Sequence, residues 1–86
     1  MPWYRCEAVG ASSSGGDSFA VTRFVEADEA GIAALKVAKC VGRELVRQGA
    51  DPLAAERCVN IETVVRIDED EVPGIAPDIV WRRNAA

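Results

Sequence analysis

The sequence predicts an α+β fold in the order β-β-α-β-(β), with one long helix packed on a small, mostly antiparallel sheet. Three observations predict it. Two strand-like runs flank a Gly/Ser stretch. A run of helical period begins after Asp28 and stops at Gly49. A strict alternation then occupies Cys58 to Asp68.

The elements follow in order. Trp3 to Val9 alternates and is rich in strand formers. The stretch Gly10 to Asp17 is a loop of turn residues. Ser18 to Glu26 reads as a second strand, so the two form a hairpin with a long tip. Two choices of inner face are open for it, Phe19/Val21/Val25 or Ala20/Thr22/Phe24. Asp28 is placed to cap the helix, and Glu29 suits the positive end of the helix dipole. Gly49 is placed as the residue that stops it. Asp51-Pro52 opens a short helical turn over Leu53 to Arg57. From Cys58 to Asp68, Val59, Ile61, Thr63, Val65 and Ile67 share one face. Asn60, Glu62, Val64 and Arg66 share the other. Asp68 to Gly74 is an acidic turn. Ile79 to Arg82 forms a last edge strand, and Asn84-Ala85-Ala86 is a frayed end.

At 86 residues the chain makes one domain with no internal repeat. A domain of this size buries only about 60% of its unfolded surface, so self-association is a natural supplement to its stability. Hydrophobic residues make up 49% and charged residues 28%, which is the composition of a globular protein. No apolar run approaches the ~20 residues that a membrane helix needs. The opening Met1 to Cys6 lacks the apolar core of a signal peptide, so the cytoplasm is the expected compartment. A net charge of −4 argues against a nucleic-acid binder.

Reactive motifs are sparse. There is no histidine, which removes Ser-His and Cys-His nucleophilic pairs and imidazole general bases. Cys6, Cys40 and Cys58 are odd in number and widely spaced, so they read as reduced thiols. Cys40 lies at the edge of the helix core face near Lys36, Lys39 and Arg43, cations of the kind that lower a thiol pKa. Asp68 and Asp70 have D-x-D spacing. However, an EF-hand count from Asp68 puts Pro73 where Gly is needed and Ile79 where Glu is needed. The Gly10–Gly16 loop lacks the Lys and Ser/Thr of a phosphate cradle and opens a strand rather than a helix. No catalytic residue, cofactor site or metal site is expected.

The surface is more informative. On a helical projection Ala30, Ala33, Ala34, Val37, Val41 and Leu45 form the face for the sheet. Lys36, Lys39, Arg43 and Arg47 form a basic stripe opposite. This stripe is either a solvated face or a contact for an anion, an acidic partner or the acidic turn of a second copy. Leu35, Gly42 and Val46 occupy a third arc and widen the apolar surface beyond one contact. If Val59, Ile61, Val65 and Ile67 meet the helix, Trp3, Val9 and Val64 fall on the outer face of the sheet. One helix cannot cover both faces, and large exposed apolar patches mark interaction sites. Trp3 and Trp81 near the two ends could stack a ligand or anchor an interface.

Trp3-Tyr4-Arg5, Thr22-Arg23-Phe24-Val25-Glu26-Ala27 and Pro77…Trp81 resemble a group of short bacterial proteins of unknown function. These have a W-[FY]-R start, a T-R-F-V-E-A strand leading into a helix and a late tryptophan. The resemblance implies a bacterial origin and the β-β-α-β order, and brings no activity with it.

The leading expectation is a non-enzymatic binding or assembly module that works as a homodimer, with Trp3, Leu35, Gly42, Val46 and Val64 as candidate interface residues. A second reading is an acidic protein that binds another protein, as an inhibitor, antitoxin or phage-encoded antagonist does. A third is a small ligand-binding protein or enzyme whose chemistry rests on carboxylates, Tyr4, lysines and cysteines.

Overall fold

A computed structural model describes residues 1–11, 17–75 and 77–83. Of the loop expected over Gly10 to Asp17, Gly10, Ala11 and Asp17 belong instead to the strands, and residues 12–16 lie outside the described residues, as do residues 84–86 of the expected frayed end. The elements are β1 (Trp3–Ala11), β2 (Asp17–Glu26), α1 (Ala30–Arg47), α2 (Pro52–Ala55), β3 (Val59–Ile67) and β4 (Val80–Arg83). Short 3₁₀ turns occupy Glu56–Cys58 and Glu69–Glu71. The sheet order is β3-β1-β2-β4 and every pairing is antiparallel. The α+β fold and the edge strand β4 are therefore as the sequence predicts.

The chain makes β1 and β2 a hairpin, then crosses over α1 to lay β3 on the far side of β1. The helix lies on one face of the sheet against β3, β1 and β2. From it Ala33, Val37, Val41, Gly42 and Leu45 are buried. Below them Tyr4, Cys6 and Ala8 come from β1 and Phe19, Val21 and Arg23 from β2. Full burial of a valine such as Val37 or Val41 contributes about 2 kcal/mol. Ala30, expected on this face, is exposed, although Ala33 one turn on is fully buried.

Strand β2 takes the face with Phe19, Val21 and Val25, opposite Gly10, Ala8 and Tyr4 of β1. This choice carries Arg23 inward, opposite Cys6. Strand β3 corrects the expected alternation. Glu7 faces Thr63 while Ala8 faces Ile61, so Glu62 is an extra residue in a β-bulge. One extra residue exchanges the faces of everything beyond it. Val59 and Ile61 meet the helix as expected, but Val64 turns inward opposite Cys6 and packs on the core. Val65 and Ile67 take the outer face in its place.

The helix ends are built differently from each other. The N-cap is Glu29 rather than Asp28, and its side chain makes no capping bond. At the other end Gly49 has φ 103°. Its N–H donates to the Val46 carbonyl at 3.0 Å, and the Ala50 N–H donates to the Leu45 carbonyl at 2.9 Å. This is a Schellman stop, with Ala50 packed on the core as its apolar contact. Asp51 then caps α2, its Oδ1 accepting from the Leu53 N–H at 3.1 Å.

Candidate functional site

The face of the sheet away from α1 carries no helix among the described residues. On β1 it presents Trp3, Arg5, Glu7 and Val9, since side chains alternate and Tyr4, Cys6 and Ala8 point to the helix. Cross-strand pairing sets the neighbours. Trp3 stands between Ile67 and Glu26, Arg5 between Val65 and Phe24, and Glu7 between Thr63 and Thr22. Val9 stands between Asn60 and Ala20, with Val80 beyond Ala20. None of these residues is buried. A shallow hollow of about 240 Å³ runs over Glu7, Val9, Ala20 and Thr22 to Pro77.

Arg5 lies at the middle of this face. Its Nε is covered by neighbouring atoms, yet it has no hydrogen-bond partner. Among the described residues the one ion pair joins Arg23 to Glu44, so Arg5 has no carboxylate partner there. Glu7 is exposed beside it.

A second surface lies on the far side of the molecule. The outward face of α1 carries Ile32, Leu35 and Val46, of which Leu35 is 57% exposed. Between α1 and α2 runs a groove of about 430 Å³, with Lys39, Arg43 and Arg47 on one rim and Gly42, Val46 and Pro52 in it. The expected basic stripe is thus real as a rim, except that Lys36 leaves it: its Nζ donates to the Glu26 carbonyl at 2.8 Å and ties α1 to the end of β2. Gly42 is buried in the groove rather than offered on a surface.

The structure therefore divides the candidate interface residues. Trp3 lies on the open sheet face, and Leu35 and Val46 lie on the outer helix face. Val64 lies on neither, because the bulge turns it toward the core. Arg5, not expected at an interface, and Val65 and Ile67, expected against the helix, complete the open face with Phe24. The outward alternation of β1 was the signal for Arg5. Val65 and Ile67 had no signal, because the bulge is invisible in the residue pattern.

The remaining candidates are structural. Asp68 and Glu71 form a capping box on the 3₁₀ turn, with Glu71 Oε1 accepting from the Asp68 N–H at 3.4 Å. No group of acidic or thiol side chains suited to a metal occurs among the described residues. Cys6 is fully buried, and burial pushes its thiol pKa up. Cys40 is exposed rather than at the core edge, and Cys58 is half-buried. Trp81 packs its ring on Phe19 at 5.4 Å between centroids, and its Nε1 donates to Gln48 Oε1 at 3.1 Å. It therefore serves to dock β4. No helix among the described residues is long and apolar enough to cross a membrane.

No protein-family model, no curated protein and no solved structure matches this chain.

Proposed function

We propose that this chain is a non-enzymatic binding or assembly module of the bacterial cytoplasm that works as a homodimer through the open face of its sheet. The observation that carries this reading is the one-sided cover of the sheet. The helix seals one face, and the other keeps Trp3, Phe24, Val65 and Ile67 in reach of water around a central Arg5. Antiparallel sheets tolerate one wet face when it is polar. This one carries large apolar side chains in adjoining rows, the character of a contact surface.

A second copy is the partner that a small domain always has at hand, and a two-fold contact uses one patch twice.

Light scattering coupled to size exclusion over a dilution series tests the reading. A dimer that persists into the low micromolar range is expected, and a clean monomer at high micromolar concentration sinks it. Val65→Asp is expected to weaken the dimer and leave the monomer folded, since Val65 stands on the open face with no part in the core.

A further inference from the structure

The outward face of the central strand β1 reads Trp3, Arg5, Glu7, Val9: apolar, cation, anion, apolar. Read backwards, the same string returns with the two charges exchanged. From this we infer the geometry of the dimer, resting on the homodimer reading above. Two sheets pack open face to open face, about a two-fold axis perpendicular to β1 at the level of Cys6. Arg5 of each copy then lies against Glu7 of the other, and Trp3 lies against Val9.

A two-fold axis lying between two sheets and perpendicular to a strand sets that strand over its own reversed image. With the axis at Cys6, position 3 meets 9 and position 5 meets 7. Both apolar residues find apolar partners and both charges find opposite ones. The other placements along β1 do worse. An axis at Arg5 sets that guanidinium on its own copy, and an axis at Glu7 sets carboxylate on carboxylate. An axis at Tyr4 lays Arg5 on Trp3, where a cation–π contact is available, but it sets Glu7 on Met1 and leaves Val9 beyond the end of the partner strand. One at Ala8 lays Glu7 on Val9, a charge against an apolar group, which costs desolvation without return. Like charges placed together suppress wrong registers, so the charge pattern selects one.

The flanking strands accept this axis. Because it runs across the strands, β2 lies over β2 and β3 over β3. Phe24 then meets Thr22, Glu26 meets Ala20 and Val65 meets Thr63, with no like charges in contact. Packed sheets cross at about 30°, and the central strand at the pivot is displaced least. Sheets stacked face to face are about 10 Å apart, a gap that an arginine and a glutamate bridge together. The axis also gives Arg5 the carboxylate it lacks within its own copy.

Reciprocal charge reversal tests the register. Arg5→Glu and Glu7→Arg are made singly and together, and mass is followed by light scattering and native mass spectrometry. Each single variant alone should dimerise at least tenfold more weakly than wild type, because it sets like charges together at two places. An equimolar mixture of the two single variants should form a heterodimer, and the double variant should dimerise as wild type does. Rescue in the mixture also proves that both single variants are folded. If wild type is a dimer and the single variants dimerise as tightly, the register is overturned while the homodimer stands. It is equally overturned if both variants are folded by circular dichroism and the mixture stays monomeric. A wild type that is monomeric at high micromolar concentration overturns both.

Discussion

Arg23 on β2 and Glu44 on α1 meet at 2.7 Å across the core, Nη2 to Oε2. The arginine side chain is 10% exposed and the glutamate 30%. The same guanidinium donates through Nη1 to the Thr22 carbonyl at 2.9 Å and to the Pro77 carbonyl. One side chain thus links strand, helix and the segment that leads into β4. Thr22 offers a carbonyl beyond the four-residue reach of β4, and Arg23 covers it.

Breaking this link has a sign and a size. Glu44→Ala leaves a buried guanidinium without its anion, and a loss of about 3 kcal/mol is expected, the low end for a broken buried pair because Glu44 is partly wet. The double variant Arg23→Met, Glu44→Met should recover most of that loss, since apolar groups of similar volume replace such pairs at little cost. Urea denaturation of the three proteins checks both statements. In the double variant the Pro77 carbonyl loses its donor. Limited proteolysis between residues 68 and 79 should accelerate even where global stability returns.

Gly10 is fixed by close approach. A Cβ there would overlap the Cys58 carbonyl oxygen and come within 2.6 Å of the Phe19 ring, its cross-strand neighbour. The ring could yield, but the backbone oxygen cannot without moving the turn that leads into β3. Gly10→Ala is therefore expected to cost about 3 kcal/mol, the upper part of the range for overpacking. Gly49→Ala meets no atom within 4 Å but must hold φ 103°, and should cost about 1 kcal/mol. Thermal or urea unfolding of the two variants should rank them in that order.

Cys6 gives the fold a pH dependence. Its pKa in the folded chain is raised above the ordinary 9.0 by burial. The unfolded chain therefore releases the thiol proton first. The stability that Cys6 contributes is whole below pH 9.0 and falls as the pH climbs from there toward the folded value. Other groups titrate in this window, so the measurement is a difference. The gap in unfolding free energy between wild type and Cys6→Ala should narrow as the pH rises past 9.0. A gap constant to about pH 10 would show that Cys6 makes no such contribution. A thiol reagent at neutral pH should modify Cys40 first and Cys6 only on unfolding, in keeping with their exposure.

Local signals in the sequence were enough for the order of elements. The helix stop at Gly49, the cap at Asp51 and the hairpin each depend on a few adjacent residues. The inner face of β2 was left open because Arg23 sits at a core position, and a charge there breaks the apolar alternation of Phe19, Val21 and Val25. Its partner Glu44 is 21 residues away and belongs to a different element, so no short window joins them. The candidate interface was half legible for a related reason. Trp3 was correctly placed outward on β1. Val64 was misplaced because parity counted from Val59 carries through Glu62, where the structure inserts one residue. Arg5 and Glu7 were visible as residues, but their meaning as a charge-reversed palindrome required knowing that β1 is a central strand with one face open.

The bulge makes a prediction that separates it from ordinary strand. Ile61 already faces Ala8 and Thr63 already faces Glu7, so Glu62 has no cross-strand partner of its own. Deleting Glu62 joins two segments that are in register, and Val59, Ile61 and Val64 keep their inward positions. The deletion variant should fold with a loss of about 1 kcal/mol or less, from the change in local twist alone. Deleting Val65 instead would shift Arg66 and Ile67 by one place, turning Ile67 inward and moving Arg66 to the open face. That variant should be destabilised by more and, on the proposed homodimer, should also lose self-association, because Val65 and Ile67 leave the open face. Urea denaturation with light scattering on the two deletions checks this. Equal losses for both would mean that β3 pairs without a bulge and that Val64, not Val65, belongs to the open face.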